Sequence, residues 1–139
     1  MELRDGEAVK AATEKASSRI LETINPKGKT TESGARLIRC SDYPAKDEVY
    51  RARHPWSLYG VPAEDMKKAM DRLREQLPVK DWEIVKDGTD DSEAKSPQLV
   101  ANSRDGEFSV DVRPQEERAY GDAPSLLEVT VVSACYRSE

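Results

Sequence analysis

The chain carries two cysteines, Cys40 and Cys135, and each lies late in a segment with the pattern of a β-strand. A bond between them would bring the first and last of these strands together and would close a loop of more than two thirds of the chain. In the chain-entropy model, a loop of that size contributes about 4 to 5 kcal/mol of stability. Cysteine pairs are typical of exported proteins. We therefore predict a Cys40–Cys135 disulfide in a domain made for an oxidising compartment.

Other uses of the two cysteines remain open. Free cysteine is among the most buried residue types, so two unconnected core thiols are the main alternative. A zinc site is disfavoured, because two cysteines and the single histidine match no ligand spacing and a fourth ligand would have to be a carboxylate. A redox pair is disfavoured too, since the sequence has no Cys-x-x-Cys.

Two segments have the apolar spacing of amphipathic helices. In the first, from about Asp5 to Ile24, apolar residues recur every three or four positions. It ends before Pro26, because the residue preceding a proline is pushed out of helical geometry. The second begins near Pro62, which suits the first helical position, and Pro78 ends it.

Six segments have the pattern of β-strands, and they span residues 35–41, 48–59, 82–86, 98–102, 107–113 and 126–136. Asp105-Gly106 is a strong hairpin signal, and the polar stretches 87–96 and 115–124 are expected to be loops. Pro55 lacks an N–H group, which predicts that its strand is at a sheet edge or bulged.

The order of these elements is helix, strand, strand, helix, then three or four strands. It predicts an α+β fold in which both helices lie on one face of an antiparallel sheet of about five strands. The length of 139 residues favours one domain, spanning 1–139.

The charge balance argues against nucleic acid as a partner. The chain has 22 basic and 27 acidic residues, and its net charge of -5 opposes attraction to phosphate backbones. The apolar runs are far shorter than the roughly 20 residues of a membrane helix. Met1 to Asp5 contains no apolar signal core, so the chain is either a mature form whose export signal was removed or a cytoplasmic protein.

The stretch from Tyr50 to Tyr59 is the most unusual, with four rings and two arginines in ten residues. A ligand could stack on an aromatic ring while an arginine holds an anionic group. The predicted ligand-binding residues are Arg51, Arg53, His54, Trp56 and Tyr59. The alternative is that the rings fill the core beside the second helix and the arginines face water.

No motif indicates catalysis or a cofactor. Asp87, Asp90, Asp91 and Glu93 could contribute oxygen ligands to calcium, but their spacing does not match the helix-loop-helix calcium pattern, so we predict a solvated loop and no metal site. The sequence has no glycine-rich phosphate loop, no Gly-x-Ser-x-Gly elbow and no His-Glu-x-x-His. We therefore predict a protein that is not an enzyme and binds no cofactor.

Two segments, Arg36–Cys40 and Leu127–Tyr136 with its near-terminal cysteine, resemble the small exported lipoproteins of actinomycetes. That resemblance implies an α+β mature domain with one disulfide and no assigned activity. The lipid-bearing cysteine and signal that define the group do not occur in this sequence, so membrane anchoring is implied only if a longer N-terminus was removed. The resemblance identifies no functional residues.

Three hypotheses follow for the function. The first is a non-catalytic extracytoplasmic monomer, secreted or lipid-anchored, that binds a protein or a small ligand. The second is a small acidic cytoplasmic inhibitor or immunity-type protein that neutralises a basic partner through its carboxylates. The third is a hydrolase-like enzyme that uses His54, the only histidine, as its base.

Overall fold

The computed structural model describes residues 3–24, 29–31, 34–60, 62–89, 91, 97–115 and 126–138. Within these residues the chain forms two α-helices, α1 (Gly6–Ile24) and α2 (Ala63–Gln76), and one sheet of nine strands. The strands are β1 (Leu3–Arg4), β2 (Lys29–Thr30), β3 (Arg36–Arg39), β4 (Val49–Tyr59), β5 (Trp82–Thr89), β6 (Pro97–Ser103), β7 (Phe108–Gln115), β8 (Leu126–Ser133) and β9 (Tyr136–Ser138).

The α+β class is confirmed, but the prediction of about five antiparallel strands was wrong. The sheet is mixed, because β1 pairs parallel with β9, while the other pairings are antiparallel. Three of the additional strands, β1, β2 and β9, have only two or three residues. Strands this short depend on pairing with longer strands, and they are too short to show the alternation of apolar and polar residues by which a strand is predicted from sequence.

Strand β4 lies in the interior of the sheet. One of its sides pairs with β8 and, further along, with β9, while the other side pairs with β3 and β2. Strands β7, β6 and β5 then extend the sheet outward from β8. An interior position for the strand that carries Pro55 contradicts the sequence-based prediction of an edge or a bulge.

The gap between β2 and β3 explains how an interior strand accommodates Pro55. The carbonyl of Ser57 points toward β2, where it accepts a hydrogen bond from the N–H of Thr31. By strand alternation, the backbone nitrogen of Pro55 points to the same side. Strand β3 pairs with residues 50–53 and β2 with residues 58–59, so neither strand requires an N–H from Pro55.

Both helices pack on one face of the sheet, as predicted. Cross-strand register places Trp56, Val129, Val112 and Leu99 in one row on that face. The same core contains the buried stripes of the two helices. Those helical residues are Ala16, Ile20, Ile24, Met66, Ala69, Met70, Leu73 and Leu77. No helix in the described part of the chain combines the length and the apolarity that crossing a bilayer requires.

The loops differ from their predicted limits. Residues 87–89, predicted to lie in a loop, belong to β5, and Gln115 belongs to β7. The remaining loop positions, except Asp91, lie outside the described residues.

The predicted closing strand is interrupted at residues 134 and 135. Strand β9 then continues beside β4 with its register shifted by one residue, because Arg53 faces Val132 whereas Tyr50 faces Tyr136.

Candidate functional site

The five predicted ligand-binding residues divide between two faces of β4. His54 and Trp56 face the helices and are buried, with 9% and 6% of their surface exposed. By alternation, Arg51, Arg53 and Tyr59 project from the opposite face, which we call the open face because neither helix packs on it. The structure therefore does not bring the five side chains together in one pocket.

His54 is held against α1. Its Nδ1 lies 2.7 Å from the hydroxyl oxygen of Ser17, and both side chains are buried. A serine hydroxyl this close to a histidine nitrogen has the spacing of an activated nucleophile. Ser17, however, is only 4% exposed, and neither residue lines the grooves described below. The contact joins α1 to β4 in the interior of the domain.

A groove of about 520 Å³ lies between α1 and the far end of the sheet, and we call it the helix-side groove. Its floor is apolar and includes two aromatic side chains, Trp82 at the start of β5 and Phe108 at the start of β7. Ile20 of α1 and Leu77 at the end of α2 complete this floor. Ser103 and Asp105, at the turn between β6 and β7, also line the groove.

The rim of the helix-side groove carries both signs of charge, with Lys15, Arg19 and Lys80 against Glu22, Asp81 and Asp105. Lys80 donates a hydrogen bond from Nζ to the hydroxyl of Thr23, at 3.1 Å. Asp105 accepts hydrogen bonds from the hydroxyl of Ser103 and the N–H of Glu107. These bonds, the serine bond first, hold the pKa of Asp105 below its ordinary value, so this carboxylate is charged at neutral pH.

A second groove, of about 470 Å³, lies on the open face, and we call it the open-face groove. Arg53 lines it together with Glu128 of β8 and with aliphatic and hydroxyl side chains of β6, β7 and β8. Asp111 lies within it and accepts hydrogen bonds from Gln98 Nε2 at 2.8 Å and from Arg113 Nε at 3.1 Å. The charge of Arg113 is therefore partly compensated inside the groove.

Sequence reasoning missed the helix-side groove because its aromatic residues are far apart along the chain. Trp82 and Phe108 each open a strand after a turn, and Phe108 is the only phenylalanine. Isolated aromatic residues at the starts of strands indicate an apolar surface. The sequence pattern does not show which helix packs over that surface.

The Cys40–Cys135 disulfide is present, as predicted, with Cα atoms 6.3 Å apart. Cys40 directly follows β3, and Cys135 lies in the break between β8 and β9. Arg51 donates a hydrogen bond from Nε to the sulfur of Cys40, at 3.3 Å. This contact turns Arg51 toward the disulfide, away from the open-face groove.

The acidic segment near the end of β5 is only partly described. Asp87 forms an ion pair with Arg74 of α2, whose Nε lies 2.9 Å from the carboxylate. Asp90 and Glu93 lie outside the described residues. Among the described histidine, cysteine, aspartate and glutamate side chains, no group of three is placed to hold a metal ion.

Comparison with known proteins adds no assignment: no family model, no curated protein and no solved structure matches this chain. The resemblance to actinomycete lipoproteins therefore stays a prediction. Because unrelated functions share folds, the grooves, the disulfide and the charges are the features that bear on function.

Proposed function

We propose that this protein is a non-catalytic extracytoplasmic domain, secreted or lipid-anchored, that binds a small organic ligand in the helix-side groove. The observation that carries this proposal is the composition of that groove. Small-molecule sites are concave, span roughly 300 to 1,000 Å³ and combine an apolar lining with a few polar groups. A volume of about 520 Å³ falls within that range and the floor includes two aromatic residues, while the rim is more strongly charged than in most such sites, with six charged residues among the fourteen that line the groove.

The floor and the rim define the class of ligand. Phe108 is half-buried and offers apolar ring surface against which a ligand ring can pack, whereas Trp82 is 8% exposed and contributes only a small part of its ring. Lys15 and Arg19 stand on the same rim as Asp81 and Asp105, so charged groups of either sign are available to orient the ligand. We propose a molecule with one apolar ring system and one or more polar substituents.

The disulfide supports the choice of compartment. Disulfides persist in oxidising environments and are rare in the cytoplasm of most cells, where reducing systems keep thiols free. Cys40 and Cys135 are the only cysteines, and both belong to this bond. A domain in which a disulfide joins the end of β3 to the segment after β8 is suited to an oxidising compartment, where the bond persists.

The burial of His54 supports a non-catalytic role. General base catalysis requires an imidazole within hydrogen-bond reach of the substrate proton, directly or through one water. His54 and Ser17 face each other inside the interface between α1 and β4. Under this proposal their contact contributes to stability, and the ligand binds without covalent chemistry.

Binding in the helix-side groove is testable with 8-anilinonaphthalene-1-sulfonate, a fluorescent probe with an aromatic body and one anionic group. Ala12 lines the groove, whereas its neighbour Ala11 is exposed on α1 and is not among the lining residues. We expect the wild type and Ala11→Trp to bind the probe at one saturable site, and Ala12→Trp to lose most of that binding. No saturable binding to the wild type, or equal binding to both variants, would overturn the proposal.

A further inference from the structure

We propose that two arginines on the open face, Arg36 of β3 and Arg53 of β4, form a site for the dianionic phosphate group of a small organic ligand. The site is on the opposite side of the sheet from the helix-side groove. It therefore does not depend on the function proposed above. We call these two residues the arginine pair.

Strand register places the two side chains of the arginine pair next to each other. Arg36 and Arg53 are direct partners in the antiparallel pairing of β3 with β4. Side chains directly opposite each other in such a pairing have Cβ atoms about 4.5 to 5.5 Å apart. The next partners lie on the helix side, because Ala52 is fully buried and Leu37 lies beside Gly6 of α1, so the arginine pair projects from the open face. Both arginines are exposed to solvent.

No carboxylate forms an ion pair with the arginine pair in the part of the chain that the structure describes, although Asp111 and Glu128 line the same groove as Arg53. Neither Arg36 nor Arg53 makes an ion pair or a side-chain hydrogen bond there. Other arginines do find carboxylates: Arg113 bonds to Asp111 on the same face, and Arg74 bonds to Asp71 and Asp87. The chain has 27 acidic residues, so carboxylates are not scarce.

Two like charges directly opposite each other in a sheet destabilise it. Four of the chain's twelve arginines lie in β3 and the part of β4 that pairs with it, although the net charge is -5. An anion that sits between the two guanidinium groups would remove the repulsion. We therefore infer that the arginine pair is kept for a ligand from outside the chain.

The chemistry of guanidinium indicates which anion fits. Its planar fork of N–H donors matches the oxygen spacing of phosphate and carboxylate groups. Two guanidinium groups supply two positive charges, and a phosphate monoester carries about -1.5 to -2 at neutral pH. A phosphate dianion thus matches the arginine pair in charge and offers enough oxygens for both forks, whereas a single carboxylate does not.

The open-face groove has room for the rest of the ligand. Arg53 belongs to both the arginine pair and the groove. Beyond it, the groove is lined by the hydroxyls of Ser109 and Thr130, by the aliphatic side chains of Val100 and Val132, and by the charged side chains of Asp111, Arg113 and Glu128. A phosphate held by the arginine pair would leave its organic substituent beside the hydroxyl and aliphatic groups of a groove that also contains two carboxylates.

Isothermal titration with phenyl phosphate at low ionic strength tests the site, with Arg36→Gln and Arg53→Gln as the variants. Arg39→Gln is the matched control, because it removes the same charge from the same strand but on the face opposite to Arg36. We expect the two pair variants to weaken binding by about tenfold or more, since charged hydrogen bonds are lost. Arg39→Gln should change the affinity little.

Two results of the titration would overturn the proposal. One is the absence of saturable binding to the wild type. The other is an equal loss of affinity in all three variants, which would mean that the anion responds only to general positive charge.

Inorganic phosphate is the second titrant, and we expect it to bind at the same site but more weakly. If it bound as tightly as phenyl phosphate, the role of the open-face groove would be wrong.

Thermal unfolding gives an independent readout. Phosphate that binds only the folded state raises the melting temperature. We expect this rise in the wild type and in Arg39→Gln but not in Arg36→Gln or Arg53→Gln. Without phosphate, the pair variants should melt at the same temperature as the wild type or higher, because a repulsion is removed. A lower melting temperature would show that the arginine pair stabilises the fold, which contradicts the proposal.

Discussion

The Cα atoms of Cys40 and Cys135 lie 6.3 Å apart, although 95 positions separate the two residues along the chain. Their bond joins the end of β3 to the break between β8 and β9, and both β3 and β9 pair with the beginning of β4. The crosslink thus restricts most of the chain when the protein unfolds.

Removal of the disulfide should strongly destabilise the domain. In the chain-entropy model, replacing both cysteines in Cys40→Ala/Cys135→Ala lowers the free energy of unfolding by about 4 to 5 kcal/mol. Urea denaturation of the oxidised wild type and the double variant measures the difference. The reduced wild type is the control and should unfold near the double variant. Equal stability of all three proteins would contradict a role for the bond in stabilising the fold.

The contact between Ser17 and His54 should contribute to stability. Ser17→Ala leaves Nδ1 of His54 without its serine partner inside the protein, which costs about 1 to 3 kcal/mol. In a His54→Phe background the same serine substitution should cost much less. A double-mutant cycle by urea denaturation measures this coupling. Strictly additive effects of the two substitutions would show that the contact stabilises nothing.

Acid should weaken the link between β1 and the β6–β7 turn. Arg4 Nη2 lies 2.9 Å from Glu107 Oε1, and this hydrogen bond is the main reason that the pKa of Glu107 is below its ordinary value of 4.5. A carboxylate with a lowered folded-state pKa stabilises the protein above its unfolded-state pKa. That stability is lost as the pH falls through the folded-state pKa.

Glu107→Gln removes this titration, so its free energy of unfolding should fall less steeply on acidification than that of the wild type. Urea denaturation between about pH 7 and about pH 3 gives both curves. Glu83→Gln is the control, because Glu83 is exposed on β5. Parallel curves for the wild type and Glu107→Gln would contradict the assigned pKa direction.

Tyr136→Phe should leave the domain as stable as the wild type or slightly more stable, by about 1 kcal/mol or less. The Tyr136 hydroxyl is buried and has no hydrogen-bond partner among the described residues. Burial, followed by the charge of Asp5, raises the pKa of Tyr136 above its ordinary value of 10.0. Stability from a raised pKa is complete below the unfolded-state pKa and declines as the pH rises past it.

The variant should therefore lose less stability than the wild type in alkaline solution. Chemical denaturation at neutral pH and above the ordinary tyrosine pKa measures both effects. A clear destabilisation of Tyr136→Phe at neutral pH would mean that the hydroxyl has a partner that this account omits.

Local patterns in the sequence predict the parts of the fold that depend on neighbouring residues. Proline brackets α2, with Pro62 before its first residue and Pro78 just after its end. Alternation along β4 correctly separates Ala52, His54, Trp56 and Leu58 from the arginines. The β6–β7 hairpin forms at Asp105-Gly106, where Gly106 adopts a φ of 77° that favours glycine.

Features that depend on distant pairing could not be predicted. Nothing near Leu3 indicates that β1 joins β9 at the other end of the chain. The adjacency of Arg36 and Arg53 is set by the register between β3 and β4, which no local pattern reports. The helix-side groove arises where α1 meets strands β5 and β7, so it follows from packing and not from any motif.

The most direct test of the account is the redox state of the two cysteines in the cells that make this protein. Cells are quenched with N-ethylmaleimide, and the intact mass is measured before and after reduction and a second alkylation. A disulfide-bonded extracytoplasmic domain takes up no maleimide at first and gains two after reduction, at Cys40 and Cys135. Two adducts without reductant would contradict the account and would favour the small acidic cytoplasmic inhibitor.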